Sequence, residues 1–304
     1  MTRWSACSAT FTPHALKAVQ SKILRSNYIP IHTTSNCPNT TYAAHQVVNS
    51  IEDLQNYQCF LLSPFHLASQ PRVLIFVDNK TLATRITWFL DSLLPPLLQS
   101  QGIILHYHSS MSEKFLKQSH DAFTTSNGIC QIMVTTSAQS VVYLFFIVLS
   151  CKLTSMQGVD FLNVRIVCTA GIPSTTTDTL QRSGRAFRNS DEDALFVTFY
   201  DPWVNDINLA DYINFDQTDL DRPHGTLKPT SPCCERAPYY GVKLIQDELC
   251  LRKGYGVYLN DILLKVHNNN SSCRRCRFME TNHCYSLKSY DKVLLLFRLG
   301  KIWL

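Results

Sequence analysis

Five short runs of nearly continuous apolar, often β-branched residues punctuate the chain: Val73–Val77 (VLIFV), Ile103–Tyr107 (IILHY), Gln131–Thr135 (QIMVT), Val164–Cys168 (VRIVC) and Leu195–Phe199 (LFVTF). Unbroken apolarity, rather than alternation, is what a strand covered on both faces requires. Between the first two runs, Thr81–Leu94 places Leu82, Ile86, Phe89 and Leu93 on one helical face and stops at Pro95-Pro96, because proline cannot continue a helix. Between the second and third, Ser112–Phe123 carries Leu116, His120 and Phe123 at helical spacing. Strands alternating with helices over short connections predict an α/β fold, a doubly wound parallel sheet. After Trp203 the pattern fades. Residues 215–240 are rich in Asp, Pro, Thr and Ser and read as a linker, 241–259 regain helical character, and His267–Cys276 is rich in Asn, Ser, Cys and Arg.

Composition narrows the class. A chain of 304 residues, 45% hydrophobic and 17% charged, is long enough for one substantial core or two modest ones and lies well away from disordered sequences. The overall charge of +5 is mild, but residues 250–304 hold ten Lys/Arg against three Asp/Glu, leaving the rest slightly acidic. Such a tail either contacts phosphates or is simply solvated. Twelve cysteines form no short, regular disulfide framework, and Met-Thr-Arg-Trp-Ser-Ala lacks the apolar core of a signal peptide, so a reducing compartment is expected. The longest apolar run, Val141 to Leu149, falls far short of the ~20 residues a bilayer span needs, so no membrane crossing is expected.

The strongest chemical signal is Gln181-Arg-Ser-Gly-Arg-Ala-Phe-Arg188. Arginines three apart on a helix project from one face and can reach a single anion. The small Ser183-Gly184 step permits close backbone approach. Phosphoryl transfer needs such cations because charge spreads over the γ-phosphate in the transition state. Arg182, one residue on from Gln181, is read as pointing to a different helix face, so its removal is expected to cost little turnover.

This string resembles motif VI of superfamily 2 helicases, and further segments fall in that family's order. Ser8-Ala-Thr10 resembles motif III, and Ser35-Asn-Cys-Pro-Asn39 resembles the N/D-R-P-N segment that precedes the second lobe of RecQ enzymes. Leu74–Asn79 is similar to motif IV, and Tyr107-His-Ser-Ser-Met111 to the Y-H-A-G-L turn. Gln131–Ala138 and Gly158-Val-Asp160 are similar to the two halves of motif V. The resemblance, to a RecQ-like ATP-dependent DNA helicase, covers about residues 5–205. It implies a RecA-like lobe over 69–205, preceded by the end of a first lobe and an inter-lobe connection over 1–68. A linker over 206–240 would then lead to a small, partly irregular region over 241–304.

The roles implied by the resemblance attach to particular residues. Arg185 and Arg188 become arginine fingers on ATP held by the other lobe, with Gln181 beside them, and Asp160 faces the nucleotide. Thr136 and Ser137 begin a helix whose amides suit a DNA phosphate, and Asn79 and His108 face the same single-strand track. For each of these a loop or cap role is the alternative. ATP and Mg²⁺ are expected only with the first lobe, single-stranded or forked DNA is the expected partner, and the nucleus is the expected location, in repair or recombination.

Three departures qualify this picture. No G-x-x-x-x-G-K-[ST] and no Asp-Glu-x-His box is present, so nothing cradles phosphates or holds magnesium. The chain is therefore expected to start inside motif III and to be inactive alone. Cys37 stands where the RecQ segment has arginine. Motif V is split, and removing Val142–Gln157 restores the family spacing. The segment begins with a residue encoded by GT-initial codons and ends with one that CAG encodes, which points to an intron translated in frame; the alternative is a genuine added strand or helix. Cys250, Cys273, Cys276 and Cys284 resemble the RecQ zinc-binding region, since four thiolates make a closed Zn²⁺ site. His283 and the Cys233-Cys234 pair compete as ligands, and free cysteines in an arbitrary tail are the alternative. Two rival functions stay open: a stand-alone, non-catalytic nucleic-acid-binding module, and the equivalent lobe of an RNA helicase.

Overall fold

Six extended segments pair into one sheet, and every pairing in it is parallel. The computed structural model describes residues 12–24, 27–29, 31, 37, 39–136, 163–186, 194–214, 216–225, 227–228, 230–247 and 250–261. In chain order the regular elements are α1 (Pro13–Lys22), β1 (Thr40–Gln46), β2 (Arg72–Val77), α2 (Lys80–Ser92), β3 (Ile104–Tyr107), α3 (Glu113–Thr124), β4 (Ile132–Thr136), β5 (Val164–Ala170), α4 (Thr176–Ser183), β6 (Ala194–Tyr200), α5 (Cys233–Arg236), α6 (Tyr239–Gln246) and α7 (Leu251–Tyr258). The strand order is β1-β6-β5-β2-β4-β3. The described residues fall into two units, one built on Asn39–Gly171 with Arg182–Pro202, the other on the described residues of Met1–Pro38, Ile172–Gln181 and Trp203–Tyr285.

The α/β class and the parallel sheet are as the apolar runs predict, and all five runs become strands. β2, β4, β5 and β6 are buried on both sides, whereas β3, at a sheet edge, buries Ile104 and Tyr107 and leaves Leu105 and His106 half-buried. In β2, Val73, Ile75 and Val77 join one core with Leu82, Ile86 and Leu90 of α2. The alternate residues Leu74 and Phe76 join a second core with Phe123 of α3 and Phe196 of β6. Two cores, one per sheet face, explain why no polar alternation marks these strands. The residues between β1 and β2 also feed the first core through Tyr57 and Phe60, the latter stacked on Phe199 with ring centroids 5.5 Å apart.

The sixth strand escapes the sequence pattern. Thr40–Gln46 (TTYAAHQ) pairs only with β6, at the sheet edge, and only Thr40, Ala43 and His45 are buried in it. An edge strand buries less of itself and does not need an apolar run. The sheet thus takes a strand from upstream of residue 69. Local signals otherwise act as expected. Asn79 caps α2 by accepting from the Thr81 and Leu82 amides (2.8 and 3.3 Å), and Ser112 caps α3 by accepting from Phe115 N–H. The α2 face differs in one respect: Leu90 is fully buried and Leu93 is 41% exposed, because the helix ends at Ser92.

The second unit has its own packing, some of it within 206–240. Tyr212 is fully buried, and its hydroxyl donates to the Ala237 carbonyl (3.0 Å). Tyr240 donates to Gly254 O (2.9 Å) and its ring lies 5.3 Å from that of Tyr258. Gln246 donates to the Val204 and Ile207 carbonyls, both at 2.8 Å. At the start of α4, Asp221 accepts from the Thr176 amide (2.8 Å), and Tyr258 hydrogen-bonds both Asp221 and Thr177. The segment 142–157, Ser8–Thr10 and residues 262–304 lie outside the described residues. No helix among the described residues is long and apolar enough to cross a membrane.

Candidate functional site

Because the strands are parallel, their carboxyl ends share one edge, and the register fixes which residues meet there. Val77 pairs with Thr136 of β4 on one side and Ala170 of β5 on the other, while Tyr107 of β3 pairs with Thr135. Asp78, His108, Thr136 and Gly171 therefore lie at or just beyond the same edge. After β2 the chain departs toward β4 and β3; after β5 it departs the opposite way, toward β6. A reversal of this kind, outside the ends of β2 and β5, is the usual place for ligands in such sheets. Gly171 turns the chain out of β5 at φ 90°, a conformation that costs glycine little, and its amide donates to Phe199 O at 2.8 Å.

At this reversal sits Arg182. It is 3% exposed, and Nη2 donates to Asp78 Oδ1 at 2.9 Å while Nη1 donates to Thr169 Oγ1 at 2.6 Å. Its guanidinium lies 5.4 Å from the Phe76 ring centroid. The cation is thus desolvated but held by one carboxylate, one hydroxyl and an aromatic face, the conditions under which a buried charge is tolerated. A solvated position for Arg182 is therefore excluded. The i,i+3 spacing alone would set Arg182 and Arg185 on one face, but the helix ends at Ser183 and it is the Arg182 side chain that turns into the sheet.

A second correction concerns the helix itself. α4 ends at Ser183, so Arg185 does not continue a helical face. It stands in the following turn, which two backbone bonds define: Arg185 N–H to Arg182 O and Ala186 N–H to Ser183 O, both 3.0 Å. Serine followed by glycine is a poor place to propagate a helix. Arg185 is half-buried and Gln181 exposed, while Arg188 lies outside the described residues.

The residues expected on the nucleic-acid track are placed as follows. Asn79 is exposed, with its carbonyl oxygen committed to capping α2. Lys80 next to it donates to Ser110 Oγ at 3.0 Å. His108 is buried, and its ring stacks on that of His106 with centroids 5.3 Å apart. Burial, and then the neighbouring Lys80 charge, lower the His108 pKa; burial, and then His108, lower that of His106. Both are neutral at pH 7. Thr136 is buried as the last residue of β4, and Ser137 and Asp160 lie outside the described residues. Lys80 went unnoticed in the sequence, although a lysine opening a helix just after a strand is a readable signal.

Of the four cysteines expected to bind zinc, Cys250 is half-buried at the start of α7, and Cys273, Cys276 and Cys284 lie outside the described residues. No group of three His, Cys, Asp or Glu side chains able to hold a metal occurs among the described residues. The Cys37 carbonyl accepts from Arg252 Nη1 at 3.0 Å. Among the described residues at the reversal, the Asp78 carboxylate is engaged by Arg182 at 2.9 Å.

Residues 52–190 match the family of the helicase conserved C-terminal domain. Among solved structures, the chain is similar to S. cerevisiae Dbp5 bound to RNA and ADP BeF3, at 15% identity over 63% of this chain and 43% of that one, with a TM-score of 0.45. It is likewise similar to Mycobacterium smegmatis helicase Lhr bound to ssDNA and AMP-PNP (18% identity, 64% and 23% covered, TM-score 0.44). A third likeness is to the yeast DEAD-box splicing factor Prp28 (19% identity, 67% and 38% covered, TM-score 0.41). The chain spans less than half the length of each.

Proposed function

We propose that this chain, whose residues 52–190 match the family of the helicase conserved C-terminal domain, is the second motor lobe of a RecQ-like, ATP-dependent 3′-to-5′ DNA helicase. The family implies ATP and Mg²⁺ in the full enzyme. In this reading a first lobe holds both, and the present lobe contributes Arg185 and Arg188 to the charge that develops on the transferred phosphoryl group. Asp160 faces the nucleotide, and the strand-end residues Asn79, Lys80 and His108, with Thr136 and Ser137, border the single-strand track. The Cys-Pro-Asn segment at 37–39 and the Cys250 region favour DNA and the RecQ group, hence a nuclear role in repair or recombination. The observation that carries the proposal is the anchoring of Arg182 at the strand reversal, with Arg185 in the turn that follows.

The test joins the full chain to a RecQ-type first lobe that binds ATP. Single-stranded DNA should stimulate hydrolysis, and Arg185→Ala should lower turnover by about 10³- to 10⁵-fold with little change in KM, because the contact strengthens as charge develops. Wild-type turnover in Arg185→Ala would remove the finger assignment. Stimulation by single-stranded RNA but not DNA would move the lobe to an RNA helicase.

A further inference from the structure

Arg182 and Arg185 are linked by more than sequence. The Arg182 side chain is fixed on three sides, by Asp78 beyond β2, Thr169 within β5 and the Phe76 ring. Its own carbonyl oxygen accepts the Arg185 amide at 3.0 Å. One residue therefore carries both the clamp that ties this turn to the sheet and the backbone acceptor that sets where Arg185 begins. Two of the three partners, Phe76 and Thr169, stand in neighbouring central strands, and Asp78 directly follows the Val77–Ala170 pair. We propose that Arg182, held by Asp78, is a positioning residue that fixes the 183–186 turn and thereby aims Arg185. The proposal rests on reading Arg185 as the nucleotide-facing arginine, but the clamp is separable from that reading.

The geometry sets the requirements. A planar guanidinium reaches a carboxylate and a hydroxyl at once with two nitrogens, whereas a single ammonium cannot span both. Asp78 is 58% exposed, so exchanging it for asparagine removes the charge without opening a void. Asp78→Asn is thus the gentle variant, and Arg182→Lys the severe one.

Two measurements test this. In the full chain alone, amide hydrogen exchange is followed residue by residue. Asp78→Asn should speed exchange at Arg185 and Ala186 about tenfold, the scale of one weakened charge-assisted bond. Exchange at Leu74 and Val167 in the flanking strands should not change. Unchanged rates at Arg185, or an equal rise at all four positions, would overturn the clamp. In the full chain joined to a first lobe, Asp78→Asn should lower kcat by about tenfold with KM for ATP within twofold. Arg182→Lys should lower it further, and Asp78→Glu should restore part of it. If Arg185→Ala abolishes turnover while Asp78→Asn and Arg182→Lys leave kcat at the wild-type value, the positioning role fails and the finger assignment stands. If Arg185→Ala keeps full turnover, the finger assignment fails, and the exchange data alone judge the clamp.

Discussion

Truncating Arg182 to alanine should destabilise the sheet-bearing unit by about 3–5 kcal/mol, the range for breaking a buried charged contact. The sum has identifiable parts. Thr169, fully buried, would lose its hydrogen-bond partner, worth about 1–3 kcal/mol when a buried polar group is stranded. Loss of the guanidinium over Phe76 adds about 0.5–1 kcal/mol, and the emptied volume of the stem about 1–2 kcal/mol. Asp78 itself loses little, since at 58% exposure water replaces its partner, and the screened pair is worth less than ~1 kcal/mol from that side. The mirror variant behaves differently. Asp78→Ala leaves a guanidinium that is 3% exposed with Thr169 as its remaining short contact among these two. That costs about 1.5–3 kcal/mol, below the full penalty for a stranded buried charge because part of the pairing survives. The double variant should then be no worse than Arg182→Ala by more than ~0.5 kcal/mol, giving a coupling of about 1–2.5 kcal/mol. Urea unfolding of the full chain, followed by far-ultraviolet circular dichroism, measures all four proteins. An Arg182→Ala variant within ~0.5 kcal/mol of the parent, the scale of an ordinary surface change, refutes the reasoning. So does a double variant whose cost equals the sum of the two singles.

Other perturbations probe different parts of the molecule. A methyl group at Gly254 of α7 would come within 2.1 Å of Leu244 Cδ2, so Gly254→Ala should lower the melting temperature, costing about 1–3 kcal/mol; combining it with Leu244→Ala should return part of the loss. Burial lowers the pKa of His106, His108 and His120 from 6.5, so the unfolded chain binds more protons as pH drops. Their contribution is complete above the unfolded value and lost as pH falls below it, and replacing His106 and His108 by glutamine should flatten a plot of urea midpoint against pH between 7 and 5. Burial also raises the thiol pKa of Cys130 to about 12 and pushes those of Cys59 and Cys168 well above the usual thiol value. Maleimide at pH 7.5 should therefore label exposed Cys233 within minutes and leave those three unmodified until urea is added. The full chain by itself should hydrolyse no ATP with or without single-stranded DNA, since it contains no phosphate-cradling loop; turnover above a mock preparation would overturn that.

Four of the six strands could be read from the chain because they are covered on both faces, and such coverage leaves an unbroken apolar signature in one dimension; β3, at an edge, was legible from its apolar run although Leu105 and His106 are only half-buried. The same local physics announced α2 and α3 and placed their caps at polar residues. The QRSGRAFR string was likewise visible, because a dense cluster of arginines beside glycine is rare. What the chain could not announce depends on neighbours distant in sequence. Thr40–Gln46 becomes a strand only because β6 offers it an edge, and nothing within TTYAAHQ requires that. Leu90 rather than Leu93 is buried because the helix stops at Ser92. Arg182 shows the limit most sharply. Its one-residue offset from Gln181 assigned it to a different face from that residue, but spacing gives an angle around an axis and says nothing about what lies in that direction. Only the sheet decides that. By setting the ends of β2 and β5 side by side, it brings Asp78 and Thr169, 104 and 13 residues away, to the two nitrogens of one guanidinium. A residue that would be a solvated bystander on an isolated helix thus becomes, in the folded chain, the best-anchored cation of its motif among the described residues.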